Sequence, residues 1–526
     1  MAASPPPPPS RRMGTVLVPM CLAVMLVVAV MTSLNLALPD IGRQLGATQA
    51  DLQWIVDGYA LVLAALVLPA GALGDRFGRK PVMLAGLVVL ATALLFGAGA
   101  ATPGQLLAAR MAAGAGAALI FPATLATITA TFRAEQRGVA IGLWAAAATI
   151  GGVIGLIGSG ALVESFWWGS VLVATAAVAV ATLALTVVFA PNSADPDHAH
   201  LDPGGTVLSA AAVGGAVLGV TEGPVRGWSD PLTVTALTVG LTAAVAFVGW
   251  ELRTRRPLLD VRVFTDREFA GGALVVASQF FSVFGLMFLA VQYLSFVKGY
   301  GTLPSGAALA PIGALVVPAA LVADPLTCRY GRSRVSAAGL AIMVIGFLAL
   351  VPMSAASGYP QLGVAFIIIS AGFGLAAAPA TAAIVGALPA AKQGVASAIN
   401  DVSRELGGAL GVAALGSAFN GPYRARIGGS PAIPAPLVDA ARDSVAAGLH
   451  AAGALGPAGR PAAAAVQDAF MHGWAIAMAT AAAVLTAAAV ATVRTPQPAG
   501  TDAPAHGTGH TDSVASGELG AAAAGR

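Results

Sequence analysis

Gly71-Ala72-Leu73-Gly74-Asp75-Arg76-Phe77-Gly78-Arg79-Lys80 links an apolar run at 53–73 to another at 81–101. Gly71, Gly74 and Gly78 permit close backbone approach and a tight turn. Asp75 supplies the one carboxylate of the stretch, suited to hold a helix N-terminus or an arginine, and Arg79 is its nearest cationic candidate. A loop that served only as a positive anchor at a membrane surface would need neither the glycines nor Asp75.

Outward from this loop the chain is a succession of apolar runs. Of its 526 residues 57% are hydrophobic and only 10% charged, against about 25% charged in soluble domains. The bilayer must therefore be its solvent. At about 20 apolar residues per transmembrane helix, spans are expected at 15–38, 53–73, 81–101, 105–130, 138–162, 168–190, 204–223, 231–251, 270–296, 304–325, 335–354, 361–386, 394–419 and 470–493. That makes about fourteen in an all-α polytopic membrane protein. Arginines and lysines favour the cytoplasmic side. With both termini inside, that side collects Arg11, Arg12, Arg76, Arg79, Lys80, Arg133, Arg137, Arg253, Arg255, Arg256, Arg329, Arg332 and Lys392. Most of the cations left on the outer side fall in one long loop, 420–469, where 436–449 could form a short surface helix. The protein is expected in the cell inner (plasma) membrane, its first span uncleaved, with disordered cytoplasmic tails at 1–14 and 494–526.

Several chemistries are excluded or weak. Cys21 and Cys328 have neither disulfide-framework nor metal-ligand spacing. The stretch Asp195 to Asp202, with His198 and His200, reads better as a solvated linker than as a metal site. No phosphate-binding Gly-x-x-x-x-Gly-Lys-Ser/Thr loop is present, so ATP is not a direct energy source. No nucleophile–base constellation argues for an enzyme, and no cofactor, metal or nucleic-acid partner is implied.

Transporters carry internal repeats. Arg76-Phe77-Gly78-Arg79 after the second span recurs as Arg329-Tyr330-Gly331-Arg332 after the tenth. The chain then reads as six spans (15–190), two additional spans with linkers (191–268) and six more (269–493). It resembles the major facilitator superfamily, in its fourteen-helix drug:proton antiporter branch. The motifs that carry the resemblance are Gly71 to Lys80, Asn35-Leu36-Ala37-Leu38-Pro39 with Trp54 and Tyr59, Arg110 with Gly114, Gly116, Ala117 and Ala118, and Asn400, Arg404, Leu406, Gly407, Gly408 and Gly411. The resemblance implies two six-helix bundles around a central cavity, with the extra pair outside. It also implies that Gly71, Gly74, Asp75, Arg76, Gly78, Arg79 and Lys80 form a conformational latch between the halves. The second copy, with Asp324 and Cys328, is expected to latch weakly or not at all. Three positions depart from the branch: Val30 stands for an aspartate, Leu156 for the proline of Gly-Pro-x-x-Gly-Gly, and Trp167-Trp168-Gly169 for the usual Arg and Asn.

An ionisable side chain inside a span costs about 2.5–3.5 kcal/mol to insert and is a functional candidate by default. Asp57, Arg110 and Asn35 share a depth in the outer part of the bilayer. Asp57 either replaces the missing carboxylate and exchanges a proton under the influence of Arg110, or caps its helix at the interface. Asp401 and Arg404, at i and i+3, can pair on one face, with Glu405 pointing elsewhere. This trio is either a self-neutralised packing cluster or a second proton-linked site. Gly151, Gly152, Gly155 and Gly158 suit close helix packing, and the resemblance implies that their helix rocks against the other half. Phe280, Phe281, Phe284, Met287, Phe288 and Tyr293 could line an adaptable cavity or face lipid. Asn35, Tyr59, Gln279 and Gln292 are further cavity candidates, because lipid would leave polar groups unsatisfied. The expected activity is secondary active, proton-coupled export of small hydrophobic compounds by a monomer. A carrier of a lipid, siderophore or metabolite, or a non-transporting sensor or scaffold, are the alternatives.

Overall fold

The computed structural model describes residues 11–191, 202–389 and 392–494. The expected linker site around His198 and the tail beyond Arg494 fall outside these residues, as do residues 1–10. Among the described residues regular structure is helical throughout, as lipid requires of backbone groups that must bond within their own segment.

The first part of the chain forms α1 (Arg11–Thr32), α2 (Leu38–Leu45), α3 (Gln49–Phe77), α4 (Arg79–Ala98), α5 (Pro103–Thr131), α6 (Ala134–Ser165) and α7 (Ser170–Phe189). Then come α8 (Pro203–Arg226) and α9 (Pro231–Glu251). The second part comprises α10 (Arg267–Gln292), α11 (Thr302–Leu309), α12 (Pro311–Ala314), α13 (Val316–Tyr330), α14 (Arg332–Leu350), α15 (Tyr359–Gly386), α16 (Gln393–Gly428), α17 (Ala435–Asp443), α18 (Val445–Ala454) and α19 (Arg460–Val493). Thirteen helical segments among the described residues are long and apolar enough to cross a membrane. The fourteenth is α16, whose hydropathy is lowered by Asn400, Asp401, Arg404 and Glu405. Its 36 residues still reach about 54 Å at 1.5 Å each, beyond the roughly 30 Å of a hydrocarbon core.

Caps mark several starts. Thr48 and Asp51 form a reciprocal capping box on α3, and the side chains of Asp202, Asp230 and Asp266 accept backbone N–H groups at the starts of α8, α9 and α10. Such caps stabilise a helix by about 1 kcal/mol each.

Four expectations need correction. The first span ends at Thr32, six residues early, because the chain turns through 33–37 before α2. Helix begins at Arg11, inside the tail expected at 1–14. The tenth span is not one rod but α11, α12 and α13, interrupted beside Pro311 and at Leu315, whose N–H donates to Ser370 Oγ instead of its own helix. The surface helix expected at 436–449 is two helices split at Ser444, which caps the second of them.

Two apolar cores result. One joins α1 and α3–α7 through Met20, Val27, Leu90, Ile120, Trp144 and Leu172. The other joins α10, α14, α15, α16 and α19 through Leu286, Met343, Phe366, Leu415 and Trp474. The repeat extends to packing: Gly86 crosses α5 at Gly116, and Gly339 crosses α15 at Gly372, where an added Cβ would lie 2.7 Å from the facing carbonyl oxygen in each case. Helix α8 lies along α3 and α16, with Val213 and Val217 against Ala64, Leu61, Val402 and Leu406.

Candidate functional site

The Gly71 to Lys80 loop joins the two halves through Asp75. Its Oδ1 accepts the Gly394 N–H at 2.8 Å and its Oδ2 the Val395 N–H at 3.1 Å. These are free donors of the first turn of α16, 319 residues away in sequence for the nearer one, so a carboxylate from one half caps a helix of the other. Arg79 Nη2 lies 3.4 Å from Asp75 Oδ1, while its Nη1 donates to the Ala126 carbonyl of α5 at 3.2 Å. Both side chains are buried, and only such pairing makes a buried carboxylate tolerable. Gly71 and Gly394 touch backbone to backbone; a Cβ on either would collide with the other's carbonyl oxygen. Gly78 turns the chain at φ 97°, a conformation glycine alone adopts freely. Gly74 is different from the expectation: nothing lies within 4 Å of where its Cβ would be, so it makes no close approach. Arg76 stacks only on neighbouring Phe77, and Lys80 Nζ donates to the Val187 carbonyl at the end of α7.

The second copy is arranged differently. Gly331 makes the same turn at φ 85°, and Arg332 pairs with Glu268 inside its own half at 2.8 Å. Asp324, on α13, rests its carboxylate against Gly138 near the start of α6. Gly138-Val139-Ala140 matches Gly394-Val395-Ala396 in sequence, so the seam is repeated. No hydrogen bond from Asp324 to the facing helix accompanies it among the described residues.

Midway along α16, the second functional candidate comes from both halves. The guanidinium of Arg404 stacks on Phe121 of α5 and Phe280 of α10, each 4.6 Å from carbon to ring centroid, with Trp144 of α6 at 5.8 Å. Trp144 is fixed by its Nε1, which donates to Thr124 Oγ1 at 2.9 Å. Asp401 Oδ1 is 3.9 Å from Arg404 Nη1, and the Asn400 amide reaches the same oxygen at 3.4 Å while accepting from Thr381. Asp401 is fully buried; its Oδ2 and Arg404 Nε have no hydrogen-bond partner among the described residues. Glu405 is half-buried on the neighbouring face and forms no ion pair with Arg404. Phe121, Trp144 and Phe280 thus belong to the site. Of these only Phe280 was singled out from sequence, although a tryptophan in mid-span, with an N–H that needs a partner, was the available signal.

Arg110 does not meet Asp57. Its Nε donates to the Ile55 carbonyl and its Nη1 to the Val30 carbonyl, both at 3.0 Å, and it stacks 4.5 Å over the Tyr59 ring. Where the branch carries an aspartate, the main-chain oxygen of Val30 takes the guanidinium. Tyr59 is no cavity residue either: it is buried, and its hydroxyl donates to the Val27 carbonyl at 2.8 Å. Asp57 faces the other way, beside Gln53 and towards Glu222 of α8. Glu222, buried and bonded to Arg226 at 2.5 Å, was not singled out from sequence.

The remaining candidates separate by surroundings. Asn35 is exposed in the turn after α1, outside the helical interior. Gln279 is buried away from any opening and donates to the Phe373 carbonyl of α15 at 3.0 Å. Gln292 donates to Phe288 of its own helix. Phe284 packs on Gly408 and edge-on to Phe280, next to the Arg404 cluster, and Met287 is half-buried one turn on. Gly151 and Gly155 do pack closely, against Met25 and Ala29 of α1, and Thr32 donates to the Gly152 carbonyl at 3.0 Å. Gly158 meets nothing within 4 Å. Gly151, Gly152 and Gly155 therefore face their own half. Contacts of α6 with the other half fall at other positions, among them Gly142 against Ala320 and Leu156, 3.5 Å from the Cβ position of Gly306. The substituted proline position is thus at the seam.

The family model of the Major Facilitator Superfamily matches residues 20–412. Among curated relatives, the methyl viologen resistance protein SmvA of Salmonella typhimurium is 32% identical over 459 residues, 86% of this chain and 91% of its own. The multidrug efflux pump LfrA of Mycolicibacterium smegmatis is 31% identical over 87% of this chain and 90% of its own. The cephamycin export protein CmcT of Amycolatopsis lactamdurans is 33% identical over 76% of this chain and 84% of its own. In fold, the human organic anion transporter TETRAN superposes with a TM-score of 0.59 at 15% identity, covering 91% of this chain and all of that one. A bacterial homologue of the human lysosomal transporter Spinster gives 0.56 at 18%, covering 94% and 100%. With two six-helix bundles, an inserted pair and about fourteen membrane helices, the chain belongs to the Major Facilitator Superfamily, as a divergent member of its drug-efflux type.

Proposed function

We propose that this transporter exports small hydrophobic, drug-like or antibiotic compounds in exchange for protons, with both termini and the Asp75 end on the cytoplasmic side. The observation that carries the reading is the Arg404–Asp401 pair, seated in rings from both halves. A group held by both halves feels any relative movement of them. When Phe121 and Trp144 withdraw, Arg404 loses stacking worth about 0.5–2 kcal/mol and turns to Asp401, whose free oxygen is then offered a cation instead of a proton. When the rings return, Asp401 is left desolvated and takes up a proton. The Asp75 cap on α16 acts as the latch of the closed cytoplasmic side, and it must part for substrate to enter from within. Residues 15–190 and 269–493 are the two moving bodies, working as a monomer, and 191–268 is the attached pair. The resistance and export functions named for the relatives support the cargo class.

Everted vesicles test the reading. Addition of a lipophilic substrate should collapse a preformed pH gradient, and Asp401→Asn should abolish that collapse while leaving substrate binding. If no compound in a broad lipophilic panel disturbs the gradient, or if Asp401→Asn exchanges protons normally, the antiport assignment fails.

A further inference from the structure

Among the described residues eleven buried side-chain atoms lack a hydrogen-bond partner, and four of them lie on α16: Gln393 Oε1, Ser397 Oγ, Asp401 Oδ2 and Arg404 Nε. No other helix holds more than two. At 3.6 residues per turn the four side chains fall within an arc of about 80°, on one face of the helix. They form a row that starts in the first turn, beside the Asp75 cap, and ends at the Arg404 centre. Gln393 Nε2 donates to the Val385 and Leu388 carbonyls, both at 3.1 Å, and Asn400 accepts from Thr381, so α15 and the turn after it flank the row.

Ser397 is the informative member. A buried hydroxyl on a helix can donate to a carbonyl three or four residues back, and Ser278, Ser282 and Ser403 all do so. Ser397 is fully buried and makes no such bond. Asp401 Oδ1 and Arg404 Nη1, 3.9 Å apart, also stand beyond hydrogen-bond reach. A buried polar atom left without a partner is costly, and buried water is what satisfies such atoms where several converge. The spacing suits it. Gln393, Ser397 and Asp401 follow one another at i,i+4, a rise of about 6 Å per step. Two hydrogen bonds of about 2.8 Å, made through one water, cover that gap.

We propose that a single file of water runs along this face of α16, from Gln393 at the Asp75 end to Asp401, with Ser397 as its relay. A hydroxyl both donates and accepts. The proton that Asp401 gives up when Arg404 turns to it passes to the first water. Ser397 Oγ then accepts a proton from that water and releases its own to the next, and the excess proton emerges past Gln393. Arg404 ends the file, because a guanidinium keeps its protons, so the file opens to one side only. Its use in exchange rests on the antiport reading above; its presence does not.

Two measurements on the full-length protein test this. In nanodiscs, hydroxyl radicals made by X-ray radiolysis oxidise a thiol that has water beside it, and mass spectrometry maps the product. Ser397→Cys should be oxidised like the exposed native Cys328. Ser282→Cys, equally buried but at a hydroxyl that is already bonded, should stay intact. In proteoliposomes, proton flux is driven by the compound of the lipophilic panel that most collapses the parent's gradient. Ser397→Ala should slow that flux about tenfold, the scale of one lost hydrogen bond. Substrate affinity and heating behaviour should not change, since the substitution removes no protein–protein hydrogen bond of the folded state. Ser282→Ala should leave the flux alone. A thiol in Ser397→Cys as inert as the one in Ser282→Cys would overturn the file, and normal flux in Ser397→Ala would overturn the relay. Oxidation in Ser397→Cys of a protein that moves no protons with any compound would sink the antiport reading and leave the file standing.

Discussion

Replacing Asp75 by asparagine tests what joins the halves. The carboxylate accepts three donors, and the two that cross between halves are the N–H groups of Gly394 and Val395. Hydrogen bonds to a charged acceptor contribute about 1.5–3 kcal/mol each, against about 1 for a neutral one. Asparagine keeps one acceptor oxygen and turns an NH2 towards the second N–H, so one crossing bond is lost and the other weakened. The helix-terminus attraction for negative charge goes as well. The closed state should lose about 2–3 kcal/mol relative to the open one, a shift of about 30- to 150-fold at 1.4 kcal/mol per decade. Spin labels at Phe77 and Tyr330, exposed equivalents in the two copies of the loop, would report the separation of this end by pulsed electron paramagnetic resonance. A long-distance population absent from the parent should appear in Asp75→Asn and grow further in Gly71→Leu, whose side chain cannot fit against Gly394. Gly74→Ala, with open space around it, should leave the distribution alone. An unchanged distribution in Asp75→Asn and Gly71→Leu would refute the argument that this cap holds the end shut.

Other substitutions probe the rest. Gly155→Leu should force α6 off α1 and lower stability by about 1–3 kcal/mol, read as earlier loss of the monodisperse peak on heating, whereas Gly158→Ala should be silent. Arg404→Lys keeps the charge but not the planar stacking; transport should fall steeply while folding, judged by the same heating assay, is retained. Arg110→Gln removes the two charge-assisted hydrogen bonds to the carbonyls of Ile55 and Val30, each worth about 1.5–3 kcal/mol, so the protein should be destabilised before any effect on coupling is seen.

Much of this architecture was legible from length and punctuation. Fourteen runs correspond to fourteen spans among the described residues because a bilayer sets one span length, and Gly78 and Gly331 mark turns that other residues resist. Asp75 could be read as a helix-capping carboxylate, but not as the cap of α16, since nothing local to residue 75 records a partner at residues 394 and 395. The faces of the helices were harder. A membrane helix that is apolar all round carries no stripe to say which side is inside. Hence Gly155 and Gly158 looked alike although one touches Ala29 and the other touches nothing. Gln279 and Tyr59, assigned to a cavity because lipid would not satisfy them, instead donate their N–H and O–H to carbonyls of neighbouring helices. The Arg404 rings and the Asp57–Glu222 approach come from separate helices, and only packing brings them together.

Helix α16 carries the Asp75 cap at its first turn and runs for about 54 Å. Past the far side of a bilayer it still bears Tyr423, whose hydroxyl bonds the Ala441 carbonyl of α17. Such a rod is a lever. A tilt of about 10° pivoting at Gly394 would carry its far end through roughly 9 Å over that length, and α17 and α18 would travel with it. A binder raised against those two short helices would therefore register, on one face of the membrane, whether a single carboxylate on the opposite face is engaged.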